Sequence, residues 1–140
     1  MHSAMVPVPA RRHPHQVLMA GLLVVSGLSV LLGGTRPGSV NASLPTPLLF
    51  LWAAVLTAGG TMVVAAAIVK PLAALFLELV ADPPLAVMCV VYSASAAMVG
   101  GYRAVVPVAL VTGAAAAFAI RAVQVFRTLK ALRNEMGEGP

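Results

Sequence analysis

Charge is what this sequence has least of. Asp, Glu, Lys and Arg together make up 9% of its 140 residues, while 60% are hydrophobic. Soluble domains carry roughly 25% charged residues. A compact soluble fold of this length has too little interior to hide so much apolar surface, so the excess must face lipid. Acid is scarcer still, with only Glu78 and Asp82 preceding Asn134. Cys89 is the only cysteine, which excludes an internal disulfide and a cysteine metal cluster. In its apolar run that thiol behaves as a small hydrophobe. Every histidine (His2, His13 and His15) lies in the N-terminal tail. Ser93 and Ser95 therefore have no base near them in sequence, and no nucleophile–base–acid set is readable. Gly59-Gly60 lacks the lysine and the strand context of a phosphate loop. Neither catalysis nor a cofactor is expected. The net charge of +5 sits at the chain ends and presumed loops, which suits anionic lipid headgroups and not the continuous basic face of a nucleic-acid binder.

What is present is a series of apolar runs separated by turn formers. Residues 1–16 are proline-rich and read as a disordered cytoplasmic tail. Met1 and Met5 could both initiate translation, though methionines this close often arise by chance, and His13-Pro14-His15 lacks the further ligands that a metal needs. Residues 17–33 are an uncharged run near the lower length limit for a membrane helix, and Arg11 and Arg12 place its start on the cytoplasmic side. A signal peptide with a small-residue site at Val40-Asn41-Ala42 is the rival reading, and it leaves the downstream topology unchanged. Residues 34–47 carry Gly, Pro, Asn and Ser and read as an external loop. Residues 48–69 form the second span, about 33 Å at helical rise. Trp52 falls near its outer interface, and Gly59-Gly60-Thr61 offers a smooth strip for close helix approach.

Lys70-Pro71 ends that span. Residues 71–81 are too short to cross alone, at roughly 16 Å, and Asp82-Pro83-Pro84 fits a helix start with Asp82 as N-cap. Two arrangements satisfy this pattern: an interfacial segment followed by a new helix at Pro83, or one long helix kinked there. Either puts Glu78 and Asp82 near the cytoplasmic headgroups. Residues 84–101 are the third span, with Ser93 to Ala97 as a small packing face. Gly100-Gly101-Tyr102-Arg103 is a tight external turn, and residues 104–120 are the fourth span. Residues 121–140 continue as a basic juxtamembrane helix and tail. Arg121, Gln124, Arg127 and Asn134 mark one side of it, with Val125, Phe126 and Leu129 on the other.

The expected fold is an all-α integral membrane protein. It has four transmembrane helices, an interfacial or kinked segment before the third, and a basic C-terminal helical extension. Basic residues set the orientation. Arg11, Arg12, Lys70, Arg121, Arg127, Lys130 and Arg133 fall inside and only Arg36 and Arg103 outside, which gives a multi-pass plasma-membrane protein with both termini cytoplasmic. The side chains singled out are Glu78, Asp82, Lys70, Arg121 and Arg127. An ionisable group within a span is a functional hypothesis by default, so Glu78 would hold a proton or cation, or pair with Lys70 or Arg121. In the plainer reading Glu78 faces headgroups, Asp82 caps a helix and the basic residues only set topology. That reading is preferred here, because neither acid falls in the middle of a span.

The end of the fourth span, Ala119-Ile120-Arg121-Ala122-Val123-Gln124-Val125-Phe126-Arg127, and the proline-rich loop before Trp52 resemble the small four-span membrane proteins of actinobacteria and their phages. The likeness covers residues 17–133 in layout. It implies an integral membrane protein with no agreed activity and carries over no site residues. Three functional classes follow as expectations. The first is a non-enzymatic protein acting through helix contacts with a second copy or a membrane partner, such as a phage-encoded accessory or exclusion factor. The second is a holin-like permeabilising protein. The third is a small transporter or channel resting on Glu78, since residues 17–33 lack the carboxylate that small multidrug transporters carry in their first span.

Overall fold

The computed structural model describes residues 14–34 and 36–137, the side chains of residues 135–137 excepted. The chain is all-helical over these residues: α1 (Pro14–Leu31), α2 (Gly38–Ser43), α3 (Thr46–Ala66), α4 (Pro71–Gly100) and α5 (Val105–Gly137), with a 3-10 turn at Gly101–Ala104. Three helical stretches are long and apolar enough to cross a membrane: Pro14–Leu31, Thr46–Ala66 and Pro71–Asn134. The last contains α4, the 3-10 turn and most of α5.

Proline and glycine mark the boundaries. Pro47 occupies the first turn of α3 and Pro71 that of α4, where a missing N–H costs nothing. Gly101 ends α4 at φ +52° and ψ −135°, a conformation that side-chain-bearing residues avoid. The chain reverses there, as the Gly100–Arg103 pattern predicts.

The interior of α4 removes one of the two arrangements that the sequence leaves open. The helix runs unbroken through Asp82-Pro83-Pro84, so residues 71–81 are not a separate interfacial segment and Asp82 is not an N-cap. Pro83 and Pro84 have no N–H, and the carbonyls of Leu79 and Val80 lose the donors four residues ahead. The 30 residues of α4 and 33 of α5 correspond to about 45 and 50 Å. Both exceed a hydrocarbon thickness of roughly 30 Å.

Packing is serial. α1 lies on α3, α3 on α4 and α4 on α5, with α2 against α4. The contact of α1 with α3 is backbone-close. A Cβ on Gly27 would stand 2.6 Å from the Ala53 carbonyl oxygen, and one on Gly60 2.8 Å from that of Ala20. The adjacent Gly59 faces the other way, onto Leu85 of α4. The strip read at Gly59-Gly60 therefore serves two neighbours at once. Leu49, Trp52, Leu56 and Val63 of α3 form the middle of the core with Leu85 and Cys89 of α4 and Phe118 of α5.

Three smaller expectations change. The 34–47 segment is not all loop, because α2 forms within it and buries Val40. Trp52 is no interfacial anchor; it is 4% exposed and faces inward. Pro14, His15 and Gln16 belong to α1 and not to a tail. The remainder of that tail, including Met1, Met5, Arg11, Arg12 and His13, lies outside the described residues, as do residues 138–140.

Candidate functional site

α4 and α5 pack antiparallel, and this alone brings Glu78 to Arg121. Two donors of the guanidinium converge on one carboxylate oxygen: Nε of Arg121 donates to Glu78 Oε2 at 3.0 Å, and Nη2 stands 2.8 Å from the same atom. Glu78 is 1% exposed and Arg121 12%. A buried charge requires a partner, and each supplies the other's. Asp82, one helical turn beyond Glu78, is 0% exposed. At this spacing it lies on the same side of α4 as Glu78.

This geometry overturns the reading in which Glu78 faces headgroups. With α4 continuous, the face carrying Glu78 and Asp82 is set by helix packing and not by the interface. The sequence-selected residues divide accordingly. Glu78 and Arg121 meet, and Asp82 is buried on their side of α4. Lys70 is exposed at the residue before α4, and Arg127 is exposed on α5. Of the two cations considered for Glu78, Arg121 is the one found in the ion pair.

Away from this pair, a cavity of about 410 Å³ opens between α1 and α5. Its floor is Trp52 and Leu56 of α3 with Cys89 and Tyr92 of α4; Leu22 and Leu110 stand on its two walls. The Trp52 and Tyr92 rings stack at 6.3 Å and 18°, and Trp52 Nε1 donates to the Met88 carbonyl at 3.2 Å. The indole spends its one donor on the neighbouring helix, which leaves an almost wholly apolar lining. Sequence reading did not find this cavity. Its liners are ordinary apolar residues, and only the lateral order of the helices places them together.

Between α4 and α5, Thr112 Oγ1 donates to Ser93 Oγ at 3.2 Å. That contact is a helix–helix hydroxyl bond, and it gives Ser93 no base. No group of three or more His, Cys, Asp or Glu that would hold a metal occurs among the described residues. The chemistry on offer is therefore a buried ion pair with a second acid on its helix face, and an apolar recess. No protein-family model matches this chain, and neither a curated protein nor a solved structure is similar to it.

Proposed function

We propose that this chain is a four-span plasma-membrane protein that works without catalysis, by association of apolar helices within the bilayer. The observation that carries the proposal is the serial packing of α1, α3, α4 and α5, which leaves an apolar recess between the outer two helices. The fold of the long helical stretch supports the proposed span count. Ser93 meets Thr112 and Glu78 meets Arg121, so α5 retraces α4 and the two count as separate crossings. An even number of crossings returns the C-terminus to the side of the N-terminus. The basic residues agree with this, since Lys70, Arg127, Lys130 and Arg133 fall at one end of the hairpin and Arg103 at the other. Exposed Leu18, Val25, Val87, Val90 and Val106 would face acyl chains, and a second copy or a membrane partner would cover the recess.

Two measurements test this. In a Cys89→Ala background, single cysteines replacing Arg36, Lys70, Arg103 and Asn134 are treated with a membrane-impermeant maleimide on intact cells. Labelling at 36 and 103, with 70 and 134 labelled only after permeabilisation, is expected; labelling at 70 in intact cells overturns the four-span reading. Photocrosslinkers at Leu22 and Leu110 should give an adduct with a second copy or with one discrete membrane protein. Lipid adducts alone would overturn association.

A second reading, ion-coupled transport, draws on the burial of Glu78 and Asp82 along one face of α4. Liposomes loaded with a pH-sensitive dye would then take up protons faster with the protein than without it, and Asp82→Asn would abolish the difference. Equal rates with and without protein would dismiss it.

A further inference from the structure

A second cavity, of about 340 Å³, lies between α4 and α5 on the basic half of the hairpin, lined by Leu79, Phe126, Leu129, Lys130 and Arg133. Its α5 liners fall at i, i+3, i+4 and i+7, which is one face of a helix. They divide by chemistry along that face, with apolar Phe126 and Leu129 first and cationic Lys130 and Arg133 after. Among the described residues, no carboxylate lines the cavity.

Depth matches that division. Phe126 lies about 32 Å along α5 from Val105, and Lys130 and Arg133 about 38 and 42 Å. Placed with Val105 at the outer headgroup surface of a bilayer about 40–45 Å thick, of which the hydrocarbon core is roughly 30 Å, the apolar liners would stand at acyl depth. The two cations stand at the level of phosphate. We propose that this cavity binds one anionic phospholipid, its phosphate between Lys130 and Arg133 and an acyl chain over Leu79, Phe126 and Leu129. Charge complementarity selects the occupant, because a zwitterionic headgroup brings a cation of its own to a rim that already carries two. Arg127 is the internal comparison, having the same charge on the same helix without lining the cavity.

The site rests on the membrane reading and is independent of any protein partner. The full-length protein, released from detergent into a mass spectrometer with phosphatidylglycerol and phosphatidylcholine of matched chains, reports lipid preference directly. Wild type should retain phosphatidylglycerol preferentially. Lys130→Gln with Arg133→Gln should lower that preference roughly ten- to thirtyfold, while Arg127→Gln leaves it in place. The charge-keeping pair Lys130→Arg and Arg133→Lys should retain it, which separates lost charge from lost fold. No preference in wild type overturns the site. So does an equal loss with Arg127→Gln, loss in the charge-keeping pair, or displacement of the lipid by inorganic phosphate. Membrane integration resistant to alkaline extraction is scored alongside. Integration without lipid preference overturns the site alone, and failure to integrate overturns the membrane reading with it.

Discussion

Glu78 and Arg121 are 43 residues apart in sequence, yet Nε and Nη2 of the arginine reach one glutamate oxygen at 3.0 and 2.8 Å. The pair ties the third turn of α4 to the middle of α5. Removing one partner would leave the other charge buried, whereas removing both would leave only a change of shape.

That asymmetry gives the first prediction. Glu78→Ala and Arg121→Ala should each cost about 3–5 kcal/mol of stability. The apolar double replacement Glu78→Leu with Arg121→Met should cost far less than the sum of the single losses. Unfolding in mixed micelles, followed by circular dichroism, measures all three. Additive losses would mean that the two side chains do not depend on each other.

The prolines of α4 give the second. Inside an ordinary helix each costs about 3 kcal/mol, and Pro83→Ala returns a donor to the Leu79 carbonyl. In a continuous α4, Pro83→Ala and Pro84→Ala should preserve the helical signal and hold or raise the unfolding midpoint. A lowered midpoint would place a helix boundary at Asp82, as one of the two arrangements open to the local sequence has it.

Why the sequence leaves two arrangements open there is a matter of range. Asp followed by two prolines is a good helix start by every local criterion. What keeps α4 continuous is its burial against α3 and α5, through Leu85 and the Glu78–Arg121 pair, and no short window contains those partners. The same blindness hid the inward turn of Trp52 and the burial of Val40, because hydropathy fixes that a segment is apolar without fixing which face meets which helix. Features carried by the chain itself were legible. These were the apolar runs of α1 and α3, the reversal at Gly101, the Gly59-Gly60 strip and the helical continuation past Arg121. Arg121 was legible as a partner for Glu78, but the choice between it and Lys70 needed the hairpin.

The glycines of α1 give the third prediction, with a control in the same helix. A Cβ at Gly27 would collide with α3, while one at Gly21 would meet nothing within 4 Å. Gly27→Ala should cost about 1–3 kcal/mol through overpacking. Gly21→Ala should be neutral or stabilise by up to about 1 kcal/mol through reduced chain entropy. The same unfolding assay reads both, and equal effects would show that α1 does not dock on α3 through Gly27.

Trp52 gives the last prediction, and it needs no mutation to begin, because it is the only tryptophan and so reports its surroundings unmixed. Its ring is inside the bundle, stacked on Tyr92 and bonded to the Met88 carbonyl, yet it also borders the apolar recess. Its emission should be blue-shifted and resist quenching by aqueous iodide, whereas an indole at the interface would be quenched. Brominated acyl chains should quench it if lipid enters the recess, and a bound partner helix should protect it. Trp52→Phe would keep most of the apolar contact and lose the donor, at a cost of about 1 kcal/mol. Strong iodide quenching would return Trp52 to the membrane surface, and with it the packing of α3 against α4.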